Sequence, residues 1–292
     1  MKRDVIREIE SPLLPGNPAC QGCPHAIGLK AISLLKNPVL VIPAGCTTVI
    51  AGIQPKSSFK LPLIHVPFAS APAVACGLSK AYERAGIDST VVVWMGDGAA
   101  DIGFATLSGS AVRNDNIMVI VSDNEAYMNT GIQMSSTTFW KAKTTTSPTG
   151  KTEEKKDLAL IMLMHRVPYV ATASVGYMLD FAEKLKKAEK VKGFRFIHLH
   201  SPCPPGWRFD SSKTVEIARM AVKCGAWILW EYDGKFRLTG ASRRYRVKSK
   251  RIPVKDYLCV QGRFRGLKEE DIKEIEKKID EVWRLIDLLE KV

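Results

Sequence analysis

Thr90-Val-Val-Val-Trp-Met-Gly-Asp-Gly98, followed after 25 intervening residues by Asn124 in Ser122-Asp-Asn-Glu-Ala-Tyr-Met-Asn-Thr-Gly131, is the stretch whose reading decides the fold. A β-branched run that ends in Gly-Asp-Gly reads as a strand opening into a turn. There the backbone can approach a diphosphate closely while the carboxylate takes a hard divalent cation through oxygen. Asn124 closes the next apolar run and offers a second oxygen. Neighbouring parallel strands lie less than ~5 Å apart, so two such strand ends can grip one octahedral magnesium ion. Gly-Asp-Gly by itself is only a turn; the strands on both sides and the spaced asparagine favour the cation site.

Working outward, apolar runs of strand length recur at Val39–Pro43, Thr90–Met95, Asn116–Ser122, Tyr169–Ala173 and Arg195–His200. Helical patterns fall between them at Ala73–Ala85, Ile102–Val112, Asp157–His165, Met178–Lys190 and Lys213–Cys224. This alternation predicts an α/β fold with a mostly parallel sheet covered by helices on both faces. Sites in such sheets collect at the carboxyl ends of the strands, so the residues after Pro43, Met95, Ser122 and His200 come first as candidates. From Glu125 to Thr152 the chain is rich in Thr, Ser, Gly and Pro, and is expected to cover a ligand. Near the end, Ile272, Ile275, Ile279, Val282, Ile286 and Leu289 step by three and four, predicting an amphipathic helix that packs on its own domain. The chain carries no internal repeat. A single domain over 1–292 is expected, with an amino-terminal segment (about 16–46) and a carboxyl-terminal extension (about 226–292).

The composition, 46% hydrophobic and 25% charged over 292 residues, is that of a globular chain. Its apolar stretches are too interrupted for a membrane span and no charged-then-apolar leader opens it; a soluble cytoplasmic protein is expected. The net charge of +13 admits a nucleic-acid partner. However, the run Lys184–Lys192 lies on a helical pattern, where it reads as a solvated face, and Arg243–Arg251 alternates as a strand or ribbon would. Charge alone specifies no site, so neither nucleic acid nor membrane is expected as a partner.

Seven cysteines, an odd number, argue for thiols and metal ligation over disulfides. Cys20-Gln-Gly-Cys23 admits a redox dithiol, half a zinc site or cluster ligands. The turn-rich approach Ser11–Pro18 fits a thioredoxin-like dithiol poorly. Zinc requires a second close pair, which the widely separated remaining cysteines do not form. An iron–sulfur cluster then stands only slightly ahead of zinc. Cys46 follows the first strand and Cys203 the last, both in loops at the edge where the Gly-Asp-Gly turn lies. Cys76 and Cys224 sit in apolar helix stripes and Cys259 in a helical pattern, where packing is the better reading.

The spacing of Gly96-Asp97-Gly98 and Asn124 resembles the signature of thiamin-diphosphate enzymes. That resemblance implies Asp97, Asn124 and the Ala126 carbonyl as magnesium ligands, with Gly96 and Gly98 flanking the diphosphate. The wider set is more specific. Cys-x-Gly-Cys, Gly-Cys-Thr, Asp-Asn-Glu-Ala-Tyr-Met-Asn-Thr-Gly-Ile-Gln, Thr-Thr-Thr-Ser-Pro-x-Gly-Lys, Cys-Pro-x-Gly-Trp-Arg and Leu258-Cys-Val-Gln-Gly-Arg-Phe264 together resemble the β subunit of multi-subunit pyruvate:ferredoxin oxidoreductase. The likeness spans residue 16 to about 265. It implies a [4Fe–4S] cluster on Cys20, Cys23, Cys46 and Cys203, with Cys46 also against the thiamin, and Asn129 at the reacting carbons. Pro24 departs from the family pattern, which has Gly after the second cysteine.

The implied activity is oxidative decarboxylation of pyruvate, with the acyl group passing to coenzyme A and the electrons to ferredoxin. The alternatives are the same chemistry on a branched-chain, aryl, 2-oxoglutarate or oxalate substrate, a non-catalytic iron–sulfur carrier, and a basic zinc protein. In the resembled family the glutamate that activates thiamin comes from an α subunit, and γ and δ subunits or their equivalents complete the assembly. Glu125, next to a metal ligand, is expected to lie too near the diphosphate for that role.

Overall fold

The computed structural model describes residues 9–53 and 55–291. The five apolar runs all become strands, and three more join them: β1 (Pro38–Pro43), β2 (Leu63–Val66), β3 (Thr90–Gly96), β4 (Met118–Asp123), β5 (Tyr169–Ser174), β6 (Arg195–His200), β7 (Trp230–Tyr232) and β8 (Phe236–Leu238). They form one eight-stranded sheet in the order β2-β1-β3-β4-β6-β5-β7-β8. The first six are parallel, and β7 and β8 close one edge as an antiparallel hairpin.

Alternate residues of the central strands feed two cores. Val91, Val93, Met95, Val119 and Val121 pack on one face; Val92, Trp94, Met118, Ile120 and Leu199 pack on the other. This is why these strands read as continuous apolar runs instead of alternating ones. The first face is covered by α3 (Ala71–Ala85), α5 (Phe104–Val112), α7 (Leu158–Met164), α10 (Thr214–Cys224), α12 (Val254–Cys259) and α13 (Glu269–Leu289). The second is covered by α1 (Pro24–Leu29), α2 (Cys46–Ala51) and α8 (Met178–Lys190). The remaining short helices are α4 (Asp97–Ile102), α6 (Met128–Gly131), α9 (Pro204–Trp207) and α11 (Ser242–Tyr245).

Four expectations are corrected. The helix expected over Ile102–Val112 starts at Phe104, because Ile102 ends α4 and Gly103 between them is wedged where a Cβ would lie 2.7 Å from the Ala99 carbonyl oxygen and 2.9 Å from that of Ala69. The basic run Arg243–Arg251 is not a ribbon but α11 and a 3-10 turn, folded against the acidic side of α13. Arg246 pairs there with Asp287 and Glu290, each at 2.8 Å, and Arg251 with Asp280 at 3.2 Å. Lys184, expected on a solvated face, is 1% exposed and meets Asp180 at 2.5 Å and the Thr172 carbonyl at 2.7 Å. Cys259 does not pack, being exposed, and Cys76 is only half buried, whereas Cys224 is in the core. The α13 stripe packs as expected through Ile272, Ile275, Ile279 and Ile286, with Trp283 beside them, while Val282 remains 42% exposed. No helix among the described residues is long and apolar enough to cross a membrane.

Candidate functional site

Strand register sets the site. Gly96 pairs with Ser122, so Asp97 and Asn124 leave neighbouring strands at the same level. Asp123 pairs with His200, which brings the loop to Cys203 to the same edge. Around the ends of β1, β3 and β4 lies a cavity of about 370 Å³, lined among others by Cys46, Gly96, Asp97, Gly98, Asn124, Ala126 and Asn129. Every expected diphosphate and magnesium residue is therefore on one wall. A Cβ at Gly96 would meet nothing within 4 Å, leaving the backbone open to a ligand in the cavity. At Gly98 a Cβ would strike the Tyr127 ring at 2.5 Å, so only glycine fits there.

Asp97 is fully buried. Ser135 and Thr137 donate to its Oδ2 at 2.6 and 3.0 Å, and among the described residues no lysine or arginine pairs with it. Burial first, and then the nearby Asp123 charge, hold its carboxyl well above the usual range. With its amide oxygen accepting from His25 Nε2 at 3.2 Å, Asn124 directs its NH₂ at Asp97 Oδ1 (3.1 Å) and at the Ala126 carbonyl (2.9 Å). The Asp97 and Ala126 oxygens thus converge on one point, held there by the neutral Asn124 NH₂, while the Asn124 oxygen faces His25. A hard divalent ion would take the place of that NH₂ once the amide turns over.

Behind this wall is a buried ionic layer. Burial alone would raise Asp123 and Glu125, but both are held below the ordinary carboxylate range, Asp123 by Lys155 and His198 and Glu125 by Lys155 and Arg263. His198 Nε2 lies 2.8 Å from Asp123, and Lys155 and Arg263 each lie 2.6 Å from Glu125. Glu125 does not line the cavity. Among the lining residues, Asp97 is the only carboxylate.

Four cysteines meet beside the cavity. The charges of thiols 46, 23 and 20 reach Cys203, and those of thiols 23 and 20 reach Cys46, which puts the four near one another. The Cys20–Cys23 turn docks on the segment after Cys203. Thr214 donates to the Gly22 carbonyl at 2.7 Å, and a Cβ on Gly22 would lie 2.1 Å from Ser211 O. Pro24 is the first residue of α1, where its missing N–H costs nothing and its fixed φ suits the helix; the departure from the family pattern leaves the turn intact. Burial, and secondarily the neighbouring thiols, push Cys46 and Cys203 up to about 12 and raise Cys23. Among the described residues no three His, Cys, Asp or Glu side chains are arranged to hold a metal ion.

The loop expected to cover a ligand divides in two. Residues 126–130 line the cavity, whereas Ser135 and Thr137 reach Asp97 from behind. Lys151 pins this part by donating to the carbonyls of Ser135, Ser136 and Thr138 at 3.3, 2.7 and 3.1 Å. Ile132, a β-branched residue at φ +65°, closes the tight Tyr127–Gln133 turn that presents the exposed Asn129. Sequence reasoning missed His25, Trp94, Ser135, Thr137 and the whole ionic layer. Only His25, two residues from Cys23, lies close enough in sequence to a motif to signal a role. Burial depresses His25 to about 4, keeping it neutral. A second cavity of about 380 Å³, under α13, contains none of the Gly-Asp-Gly or cysteine residues.

His200 stacks between Trp207 and Trp227, at 5.6 and 4.7 Å, and burial depresses it to about 3. The folded chain then binds fewer protons than the unfolded chain between about 3 and the ordinary value of 6.5. Its contribution to stability is full above that window and is lost as pH falls through it. In His200→Phe the acid limb of unfolding free energy against pH should be shallower by up to one proton, about 1.4 kcal/mol per pH unit. Denaturant titrations from pH 7 to 4 check this, and an unchanged slope refutes it.

Residues 43–199 match the family described as "Thiamine pyrophosphate enzyme, C-terminal TPP binding domain". The chain is 48% identical to pyruvate synthase subunit PorB of Methanothermobacter thermautotrophicus, over 92% of this chain and 95% of that one. It is 41% identical to ketoisovalerate oxidoreductase subunit VorB of Pyrococcus abyssi, over 100% and 97% of the two chains. Among solved structures it resembles the 2-oxoglutarate:ferredoxin oxidoreductase of Magnetococcus marinus with 2-oxoglutarate, coenzyme A and succinyl-CoA bound. The TM-score there is 0.59 at 26% identity, covering 73% of this chain and 81% of that one.

Proposed function

We propose, on the premise that this chain belongs to the thiamin-diphosphate-binding β subunits of the 2-oxoacid:ferredoxin oxidoreductases, that it serves oxidative decarboxylation of pyruvate to acetyl-CoA. The observation that carries the reading is one wall of one cavity. Asp97, Asn124, Ala126 and Cys46 line it together, and the charges of Cys20, Cys23 and Cys46 reach Cys203, which supports reading the four thiols as one ligand set. Asp97, Asn124 and Ala126 would hold magnesium, and Cys20, Cys23, Cys46 and Cys203 a [4Fe–4S] cluster. When bound, thiamin diphosphate supplies the nucleophilic carbon and electron sink, and the cluster an acceptor of single electrons.

This chain's residues do the positioning. Asp97 neutralises part of the metal charge; Gly96 and Gly98 let the backbone close on the diphosphate. To ligate the ion Asn124 would turn its amide over, presenting its oxygen beside Asp97 and Ala126 and its NH₂ to neutral His25. Phe68 and Ile102 are apolar lining that keeps water from the reacting end, and Asn129 stands at the mouth as a hydrogen-bond donor to the substrate carbonyl. Cys20 is exposed while Cys203 is buried, so a cluster held by both would have one side toward the interior and one toward the surface. Ferredoxin is the acceptor. Coenzyme A takes the acyl group, a role supported by the coenzyme A and succinyl-CoA bound to the Magnetococcus enzyme.

The substrate is assigned to pyruvate on the higher identity to the pyruvate synthase subunit. The ketoisovalerate relative, matched over the full chain, favours a branched-chain 2-oxoacid as the second reading. Anaerobic assay of the assembled complex with pyruvate and 2-oxoisovalerate decides between them: kcat/KM higher for the latter overturns pyruvate.

Among the described residues Asp97 is the only carboxylate lining the cavity and is assigned to the metal, which supports an activating carboxylate supplied by another chain. An α subunit supplies it, and γ and δ subunits or their equivalents complete the complex. The reconstituted chain alone should therefore show no 2-oxoacid- and coenzyme-A-dependent dye reduction, with activity appearing on addition of its partners. Full activity from the isolated chain would place the glutamate within it.

A further inference from the structure

We infer that Arg263 is a positioning residue that ties the turn carrying Asn124 and Ala126 to the loop carrying Cys203; the inference rests on the site assignment proposed above. Arg263 lies in the 3-10 turn Gly262–Phe264 of the carboxyl-terminal extension and is 2% exposed. Its Nη1 donates to Glu125 Oε2 at 2.6 Å, its Nε donates to Gln261 Oε1 at 3.0 Å, and its guanidinium lies 3.5 Å over the Trp207 ring. Trp207 in turn donates its indole N–H to the Asn124 carbonyl and its backbone N–H to the Cys203 carbonyl, both at 2.8 Å. One side chain from the far end of the sequence therefore braces both halves of the site.

The brace acts where the backbone needs it. Glu125, between the two oxygen-donating residues, has φ +61°, a conformation that L side chains adopt at a cost. Whether Asn124 and Ala126 face the same point depends on that residue staying put. Arg263 and Lys155 hold its carboxylate, and Thr138 donates to its carbonyl at 2.6 Å. The turn bearing Arg263 is itself seated on the loop after Trp207. Gly262 N donates to the Arg208 carbonyl at 3.1 Å, and a Cβ there would meet the Arg208 Cβ at 2.7 Å. Lysine could keep the charge on Glu125 but not the flat stack on Trp207 together with the Nε bond to Gln261.

The test uses the assembled complex purified anaerobically, with thiamin-diphosphate affinity measured at limiting and saturating magnesium and the cluster read by electron paramagnetic resonance. Arg263→Met should weaken thiamin diphosphate at least tenfold at limiting magnesium, with partial recovery at saturation, and should shift the cluster signal. Arg263→Lys should fall between. A purely structural role would lower the folded fraction and the binding stoichiometry while leaving the dissociation constant and its magnesium dependence unchanged. That result, in a folded Arg263→Met, overturns the inference. If Arg263→Met does not fold, Trp207→Phe decides: it keeps the stack and loses the N–H to Asn124, so it must weaken magnesium-dependent binding, and unchanged binding overturns the inference. Wild-type complex that fails to bind thiamin diphosphate would instead refute the site assignment.

Discussion

Asp97→Ala should abolish thiamin-diphosphate binding, weakening it by roughly 100-fold or more, a loss of at least about 2.7 kcal/mol, while leaving fold and iron content near wild type. In the proposed set the carboxylate is the metal's only charged protein ligand, the others being an amide and a carbonyl. The effect on the fold is small because two terms oppose. Ser135 and Thr137 lose their shared acceptor, a cost of about 1–3 kcal/mol for a buried unsatisfied group. At the same time a buried charge beside Asp123 disappears, relieving the repulsion that helps hold Asp97 above its ordinary range. Asp97→Asn separates the two contributions, since it keeps an oxygen for the hydroxyls but removes the charge; it should fold like wild type and still bind poorly. Calorimetric titration with thiamin diphosphate under limiting magnesium is the measurement. Tight binding by either variant would sink the assignment.

Cys203→Ser should lose the cluster or convert it to a three-iron form, and the same holds for Cys20, Cys23 and Cys46, whereas Cys76, Cys224 and Cys259 should be replaceable. Cys203 is the most informative of the four because it is buried at 8% exposure and stands after a different strand from the others. A serine hydroxyl is a poor ligand for iron where thiolate is the normal donor. The exchange is close to isosteric, so loss of iron reports ligation rather than packing. Of the replaceable three, Cys224 carries the packing risk, being in the core, while Cys259 is exposed. Iron analysis and electron paramagnetic resonance on all seven single variants settle the matter; a normal four-iron signal from Cys203→Ser would show that the fourth ligand lies elsewhere.

The five parallel strands β1, β3, β4, β5 and β6 were legible because each is buried on both faces, as the continuous apolar stretch at residues 91–95 shows. β2 was not legible. It is four residues long at a sheet edge, with His65 and Ile64 exposed, so it carries neither an alternating nor a continuous pattern. The hairpin β7–β8 has three-residue strands and escaped for the same reason.

Charge patterning misled where partners come from afar. The Lys-rich run read as a solvated face and the Arg-rich run as a ribbon because their acids lie elsewhere in the sequence: Asp280, Asp287 and Glu290 for the 243–251 run, Glu231 for Lys187. Lys184 shows the same blindness in the core, where Asp180, Thr172 and Thr239 together make burial of an ammonium tolerable.

By itself the sequence determined the α/β class, the positions of the central strands, and the candidate donors at their ends: Asp97 on its glycines, Asn124 one strand later, and the Cys20–Cys23 pair. These are local, since a turn residue and the strand before it are written within ten positions of one another. Only the tertiary structure decided which side chains stand behind them. Asp97 is held by Ser135 and Thr137, Asn124 by His25, Glu125 by Lys155 and Arg263, and Cys203 is brought to Cys20 across most of the chain. Those pairings are set by strand register and by the order β4-β6-β5, in which β6 separates β4 from its sequence successor β5. A buried charge is stabilised by whatever the fold places beside it, and no sequence spacing records that choice.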